Sequence, residues 1–245
     1  MPDAVAVPEG QPLTQVERFV DAFVAPSKTF SDILRSASCW VPILVLVILS
    51  TAFAYTVDKK VGFEAVAQQQ LEKMPSMQER IDAMAPADRA KVYQQRAVGT
   101  RISTYGFSVL ALIIIAIETL LLWASFNFGL GAKTTFGQVF AVVLYAGLPK
   151  ILIWILAIVL LFAGVGIDGF DLQNPAGTNI GYFLSNNTLR AAGGFFDIFG
   201  LWALALLVLG MAIISRKSKG AAAAIVVGWW VIGLLISTGI AAAFS

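Results

Sequence analysis

The sequence contains no histidine and a single cysteine in 245 residues. Histidine is the commonest general base near neutral pH and the commonest metal ligand, so its absence excludes most serine and cysteine hydrolase mechanisms. Cys39 has no second cysteine with which to form an internal disulfide or a thiolate metal site. We therefore predict that the chain is not an enzyme, that it has no cofactor or metal site, and that Cys39 is a small apolar packing residue.

Charged residues are also scarce in this chain. They make up 13% of the sequence, against roughly 25% in an ordinary soluble domain, whereas hydrophobic residues make up 58%. This composition excludes a water-soluble globular protein. The formal net charge of +2 provides no basis for binding nucleic acid, so no nucleic-acid partner is expected.

Long apolar runs account for most of the sequence. A membrane-spanning helix needs about 20 mostly apolar residues. Five runs of this kind occur, at residues 40–57, 102–130, 136–163, 195–215 and 220–244. The sequence therefore predicts an all-α fold, a polytopic integral membrane bundle of five transmembrane helices. This membrane domain is predicted to cover residues 14–245, after a disordered tail of residues 1–13.

The region before the first span is predicted to form two short helices. From Thr14 an apolar face repeats at helical spacing and comprises Val16, Phe19, Val20 and Phe23. We expect this helix to break at Ala25, because a residue before proline avoids the helical region. A second helix would then be capped by Ser27 or Thr29. Both are expected to lie in the headgroup region, with apolar faces in lipid and basic side chains reaching phosphate.

Residues 58–101, between the first two spans, are predicted to be a helical insert. Ser76 and Glu79 match a capping box that would start one of its helices. The insert is either a cover for the bundle or a methionine-lined surface for another protein. The candidate partner surface combines one face of this helix with the N-terminal helix and comprises Phe19, Phe23, Met77, Ile81 and Met84.

Glu118 lies within the second predicted span, where an ionisable group is costly and usually faces a partner or water. Lys150 in the third span is its candidate partner, and Pro149 predicts a kink beside it. The candidate intramembrane polar site comprises Glu118, Lys150, Tyr145, Pro149 and Ser125. Two interpretations stay open. One is a proton or ion relay, and the other is a neutralising structural pair, or a lysine that extends towards an interface.

Small residues recur every four positions in the last predicted span, a pattern that favours close helix packing. The candidate packing face comprises Gly220, Ala224, Gly228, Gly233 and Ser237. Such a face serves either packing within the bundle or self-association. A homo-oligomer is therefore one candidate state of the protein.

Basic residues beside the spans indicate the orientation of the chain. Those that favour a cytoplasmic N-terminus are Arg18, Lys28, Arg35, Lys133, Arg216, Lys217 and Lys219. Five spans then place the C-terminus outside. The insert argues the other way, since its own lysines and arginines would have to cross the membrane, although they are interleaved with acidic residues.

Three stretches of the sequence together carry a family resemblance. They are FVAPSKTF at residues 23–30 with WVP at 40–42, GAKTTF at 131–136 through YAGLP at 145–149, and DIFGLW at 197–202 through Gly210. Together they resemble the Yip family, the polytopic membrane domain named for eukaryotic proteins that interact with Ypt/Rab GTPases. The resemblance covers residues 14–245, and this form is similar to bacterial members.

The resemblance implies five spans with a helical insert after the first. Eukaryotic relatives are associated with vesicle traffic, GTPase recruitment and membrane shaping, usually through longer acidic N-termini. This N-terminus is short, so Rab binding is not expected, and no family motif supplies catalytic residues. We predict a non-enzymatic scaffold, adaptor or lipid-organising protein of the bacterial inner (cytoplasmic) membrane, in contact with lipids and other membrane proteins. The alternative is a small transporter or ion pathway that uses Glu118 and the kinked third span.

Overall fold

The computed structural model describes residues 11–72 and 74–243. The predicted tail at residues 1–13 therefore lies mostly outside the described residues. Within the described part, the chain folds into α-helices in the order α1 (Gln15–Val24), α2 (Pro26–Ile33), α3 (Trp40–Lys60), α4 (Phe63–Glu72), α5 (Pro75–Asp82), α6 (Pro86–Tyr105), α7 (Phe107–Ala124), α8 (Phe136–Ala146), α9 (Ile151–Phe162), α10 (Asn187–Gly194), α11 (Ile198–Ser215) and α12 (Lys219–Ala243). The predicted all-α fold is confirmed.

Within residues 11–72 and 74–243, five helical segments are long and apolar enough to cross a membrane. They are Trp40–Lys60, Phe107–Gly129, Phe136–Phe162, Ile198–Ser215 and Lys219–Ala243. The five predicted spans are thereby confirmed, and the chain is an integral membrane protein. The second span begins at Phe107, later than predicted, because the polar helix α6 continues past Ile102 to Tyr105.

The chain forms two compact units, and each is built from separate stretches of sequence. The first unit contains the segments up to Leu46, Ala111–Lys150 and Gly200–Val231. The second unit contains Val47–Leu110, Ile151–Phe199 and the segment from Ile232. The N-terminal helices α1 and α2 belong to the first unit, and the insert helices α4, α5 and α6 belong to the second.

The core of the second unit joins the insert to the spans. Its buried residues are Phe53, Val57, Phe63, Val66, Ala67, Ala97, Ala157, Leu161 and Phe170. Helices α4 and α6 of the insert thus pack on α3 and α9. Full burial of a large apolar side chain from water stabilises a fold by about 1.5–3 kcal/mol. Residues such as Phe63 and Val66 therefore hold the insert against the membrane helices.

The start of α5 differs from the prediction. The helix begins at Pro75, with Met74 as the N-cap and no side-chain capping bond. Proline is well suited to the first helical position, where its missing N–H has no partner to lose. The predicted capping box at Ser76 and Glu79 is therefore wrong, because Ser76 already lies inside the first turn of α5.

The reversal between the second and third spans is closed by side chains. It starts with a π-helical turn, Ser125–Gly129. The Asn127 carbonyl Oδ1 accepts the Thr134 N–H at 2.9 Å, and the Asn127 amide donates to the Thr134 carbonyl at 2.9 Å. The Trp123 indole N–H donates to the same carbonyl at 3.0 Å. Gly131 takes a φ of +60°, which favours glycine. We call these four residues the 123–134 clasp.

The third span is not one regular helix. Between α8 and α9 the chain forms a 3₁₀ turn, Leu148–Lys150. Proline has no amide hydrogen and crowds the carbonyl one turn earlier, so an α-helix cannot continue undisturbed through Pro149. The break occurs where the kink was predicted.

Candidate functional site

The N-terminal helix α1 begins with a reciprocal capping box. The Thr14 hydroxyl accepts the Glu17 N–H at 3.2 Å, and the Glu17 carboxylate accepts the Thr14 N–H at 2.7 Å. These bonds satisfy amides that have no partner inside the helix. The bond from the Thr14 backbone amide also lowers the pKa of the Glu17 carboxyl.

Helix α1 ends where the sequence predicts. Ala25 lies outside the helical region and Pro26 is the first residue of α2. The predicted cap of α2 by Ser27 or Thr29 is wrong, because Pro26 occupies the first position and α2 has no side-chain cap. Thr29 is buried instead, and its hydroxyl donates to the Arg18 carbonyl at 2.9 Å. We call α1 and α2 together the N-terminal hairpin.

Arg18 lies inside the hairpin, with only 2% of its surface exposed. Its Nε donates to the Asp32 carboxylate at 2.6 Å. Its Nη1 donates to the carbonyls of Ser36 and Ser38 at 2.8 and 3.1 Å. One guanidinium thereby joins α1, α2 and the connection to the first span. The prediction that basic side chains of this region reach phosphate is wrong for Arg18, because its donors are used internally.

This buried pair makes the geometry of the hairpin specific. Removing a charged pair from water costs several kcal/mol per ion, which attraction repays only when the hydrogen bonds are well aligned. The planar guanidinium meets that condition here through bonds to Asp32, Ser36 and Ser38. A displaced α1 would leave Arg18 buried without its acceptors.

The three stretches that resemble the Yip family meet in the first unit. A Cβ atom on Gly210 of α11 would lie 2.6 Å from the Val142 side chain and 3.0 Å from the Phe30 ring. Phe30 belongs to the first stretch, Val142 to the second and Gly210 to the third. Only glycine allows these residues to approach so closely.

Two further contacts fix the hairpin to the spans. The Tyr145 hydroxyl of α8 donates to the Gln15 side-chain oxygen of α1 at 2.8 Å. The Phe23 ring meets the Trp202 ring edge to face, with centroids 5.8 Å apart. Both helices of the hairpin are therefore held by residues of α8 and α11.

The opposite side of α1 is apolar and exposed. Val16, Val20 and Val24 follow one another at four-residue spacing, and Val16 and Val24 are 70% and 73% exposed. Residues four apart lie on one side of a helix. Arg18 and Ala22 lie on the other side and are buried. We call the three valines the valine row.

Two of the predicted intramembrane polar residues have partners outside the predicted set. Tyr145 is fully buried and bonds Gln15, and the Ser125 hydroxyl accepts the Trp229 indole N–H at 3.0 Å. Pro149 is buried in the 3₁₀ turn. Glu118 is half-buried and Lys150 is exposed. Among the described residues, no ion pair joins these two side chains.

The predicted partner surface is divided in the same way. Phe19 and Phe23 are half-buried and pack against each other, with ring centroids 5.6 Å apart. Met77 and Met84 are exposed, whereas Ile81 between them is completely buried. The exposed part of this face on the insert is therefore the two methionines.

The predicted small residues of α12 lie on two different sides of the helix. Gly228 has open space around its missing Cβ, and Gly220 and Ala224 are exposed. A Cβ on Gly233 would instead lie 3.7 Å from the Phe195 ring. The five-residue step from Gly228 to Gly233 turns the helix by about 500°, so the two glycines point in different directions.

One known family matches the sequence of this chain. The family model of the Yip1 domain matches residues 20–240, which is nearly the whole chain. The chain belongs to the Yip1 domain family. No curated protein and no solved structure matches it.

The contacts that the sequence resemblance did not reveal are those of Arg18. In this Yip1 protein the ion pair joins residues 14 positions apart, on two different helices. No local spacing rule connects them. The available signal was the helical wheel, because Arg18 lies opposite the valine row and so cannot share its environment. The Yip1 match begins at residue 20 and includes Asp32.

Proposed function

We propose that this Yip1 protein is a non-enzymatic membrane scaffold that orders the surrounding lipid and contacts neighbouring membrane proteins. The observation that supports this proposal is the N-terminal hairpin, an amphipathic element whose inner side is held by a buried ion pair. Its outer side is the valine row. An amphipathic helix with an apolar outer face is suited to the boundary between headgroups and acyl chains.

The attachment of the hairpin is as important as its apolar face. A free amphipathic helix adapts its depth and tilt to the bilayer, whereas α1 is tied through Arg18 to Asp32 and through Gln15 to Tyr145. The bilayer must then adapt to the helix. A rigid apolar face at fixed depth changes lipid packing beside it, which is the activity we propose.

The test is reconstitution of the full chain into vesicles of phosphatidylcholine and phosphatidylglycerol that contain the polarity-sensitive dye laurdan. We expect the protein to change lipid order in proportion to its density. The variant with Val16→Ser, Val20→Ser and Val24→Ser should lose most of that change. The matched control replaces the same valines with isoleucine, which keeps the face apolar, and should behave like the wild type.

Equal lipid order with the serine and isoleucine variants would contradict a lipid-ordering role for the hairpin. The three valines are exposed, so their replacement should leave the melting temperature unchanged. That measurement separates loss of lipid ordering from loss of folding.

Contact with other membrane proteins is tested in native membranes. A photoreactive residue at Met77 lies on the exposed part of the insert, and the same residue at Gln95 on α6 serves as the control. We expect a reproducible protein adduct at Met77 that is absent at Gln95. Adducts at Met77 with lipid or with the same chain only would contradict the adaptor part of the proposal.

We further propose that the protein lies in the bacterial inner membrane with a cytoplasmic N-terminus. Arg18 is buried, so the orientation is supported by the remaining basic residues, of which Lys28, Lys133 and Lys219 are exposed. Lys217→Cys in a Cys39→Ser background should resist a membrane-impermeant maleimide in intact cells. Gln173→Cys, in the loop before the fourth span, should react. The reverse pattern would overturn this orientation.

A further inference from the structure

The segment between α9 and α10 is rich in glycine and asparagine, yet it is well ordered by polar contacts. Arg190 forms an ion pair with Asp171 and donates to the Leu184 carbonyl at 3.2 Å. The Asn179 side-chain amide donates to the Asn174 side chain at 2.9 Å. A 3₁₀ turn, Ile180–Phe183, follows directly after Asn179. This turn therefore has a fixed position in the second unit.

The 3₁₀ turn packs on α10 backbone to backbone. A Cβ atom on Gly181 would lie 2.4 Å from the Arg190 carbonyl oxygen, and one on Gly193 would lie 2.6 Å from the Gly181 nitrogen. No side chain fits at either position, because the nearest atoms belong to the main chain. The two glycines thus allow the turn and the helix to form one rigid body, with Gly181 facing inward.

The residues around Gly181 face outward and are apolar. Ile180 is 56% exposed and Phe183 is 75% exposed, and Tyr182 and Leu189 are exposed beside them. The Tyr182 and Phe183 rings meet edge to face with centroids 5.2 Å apart. We call these four residues the loop apolar surface. An exposed apolar group of this kind, held on a rigid frame, is typical of an interaction site.

Backbone pairing connects the segment before this surface to residues 197 and 198, where the fourth span begins. Asn179 forms an isolated antiparallel bridge with Asp197, and the Ile198 N–H donates to the Thr178 carbonyl at 3.1 Å. Asp197 is also bonded by the Thr178 hydroxyl. Ile198 is the first residue of the fourth span, and its side chain is exposed. Ile180 therefore directly follows Asn179, which pairs with the residue immediately before the fourth span.

We propose that the loop apolar surface is a second membrane contact, which inserts into the headgroup and acyl boundary of the leaflet where the fourth span begins. Its occupant is the lipid surface. Continuity along the chain supports this choice, because Asn179, directly before the surface, pairs with Asp197, directly before the exposed Ile198 that begins the span. Aromatic residues such as Tyr182 are also favoured at this depth of the bilayer. None of these contacts involves the N-terminal hairpin.

The test uses the full chain with Cys39→Ser, reconstituted into vesicles of phosphatidylcholine and phosphatidylglycerol. An environment-sensitive NBD label is placed at Ile180→Cys or Leu189→Cys on the surface. The matched controls are Gln173→Cys and Ser185→Cys, which are exposed polar positions of the same segment. Each label is quenched with aqueous iodide and, separately, with lipids that carry a doxyl group at different depths.

We expect labels at positions 180 and 189 to be protected from iodide and to be quenched by shallow doxyl lipids, at a depth of about 5–10 Å below the headgroups. Labels at positions 173 and 185 should show the reverse. With the label at position 189, the additional changes Tyr182→Ser and Phe183→Ser should decrease lipid quenching and increase iodide quenching.

Two results would overturn the proposal. Iodide quenching at positions 180 and 189 equal to that at position 185 would place the surface in water. Protection from both iodide and lipid quenchers would show that protein covers it, either from a second copy or from the same chain. Because two surface positions are measured independently, loss of folding in one variant does not remove the test.

Discussion

The N-terminal hairpin and the insert are both short helical regions outside the spans, and both carry many charged residues, but they use those charges differently. In the insert, the pairs Arg89–Asp82 at 3.7 Å and Lys91–Asp88 at 3.5 Å are exposed to solvent. Its closest ion pair, Arg101–Asp58 at 3.0 Å, also has an exposed arginine, and its buried contacts are largely apolar, for example at Ile81. In the hairpin, the pair Arg18–Asp32 at 2.6 Å is buried and determines how the helices meet.

The two regions therefore differ in how much free energy a small movement of their helices would cost. Apolar burial has no direction, so the insert can adjust its helices by small movements without losing much free energy. A buried ion pair with additional hydrogen bonds has direction, and movement leaves charge without a partner. We infer that the hairpin is the rigid element of the molecule and the insert the adaptable one. Substitutions in the two regions test that contrast.

Removal of one member of each ion pair should have very different consequences in the two regions. Asp32→Ala leaves the Arg18 guanidinium buried without its carboxylate, and should lower the free energy of unfolding by about 3–5 kcal/mol. Asp82→Ala in the insert should lower it by about 0–1 kcal/mol, because that pair is exposed. Denaturant titration of the purified protein in micelles measures both values. Losses of equal size would contradict the contrast.

Addition of one methyl group distinguishes the close contact of the hairpin from the loose surface of the insert. Gly210→Ala places a Cβ against Val142 and Phe30, and should destabilise the protein by about 1–3 kcal/mol through overpacking. Gly99→Ala on α6 meets nothing within 4 Å, and should stabilise the helix by up to about 1 kcal/mol. Thermal unfolding of both variants gives the sign of each change. A stabilising Gly210→Ala would exclude the contact.

Loss of one hydroxyl tests the bond between the hairpin and α8. Tyr145→Phe removes the donor to Gln15 and should cost about 0.5–1.5 kcal/mol. Tyr93→Phe in the insert removes only a long contact of 3.4 Å with Gln78, so its cost should be smaller. Limited proteolysis before residue 26 should become faster in the Tyr145 variant alone. Faster cleavage in neither variant would mean that this bond does not hold the hairpin.

The smallest expected effect is a dependence on pH at the first turn of α1. The pKa of Glu17 is lowered in the folded protein, so its carboxylate contributes stability above its ordinary pKa in the unfolded chain. That contribution is lost as the pH falls through the lowered folded value. The melting temperature of the wild type minus that of Glu17→Gln should be constant from neutral pH to mildly acidic pH and then decrease. A difference that increases on acidification would contradict the capping box.

The membrane architecture could be predicted because it depends on composition within single segments. Each span is an apolar run, and Pro26 and Pro149 interrupt helices through their own covalent structure. Such features need no knowledge of the rest of the fold. The end of α6 was harder to place, since the apolar run after Ile102 does not reveal where a polar helix stops and a span starts.

The contacts of the hairpin could not be predicted because they depend on tertiary structure. The amphipathic pattern of α1 placed Val20 and Phe23 on one apolar face, but Phe23 packs on Trp202 whereas Val20 is exposed. In the sequence, Arg18 is indistinguishable from any basic residue that flanks a span. Its pairing with Asp32 exists only in the folded protein. Gly210 is one glycine in an apolar run, and its close approach to Phe30 exists only after α2 and α11 meet.

The 123–134 clasp has a consequence for biogenesis. Trp123 and Asn127 both bond Thr134, so the side-chain bonds of the reversal join residues within 123–134 and need no other part of the chain. The reversal can therefore close as soon as residue 134 has emerged during synthesis, before the third span is complete. Once the third span has followed, it meets the second span across a finished turn, and the two can leave the translocation machinery together. The Thr134 amide and carbonyl then enter the bilayer with their hydrogen bonds already formed. The remaining helices assemble on a pair of spans that is already connected.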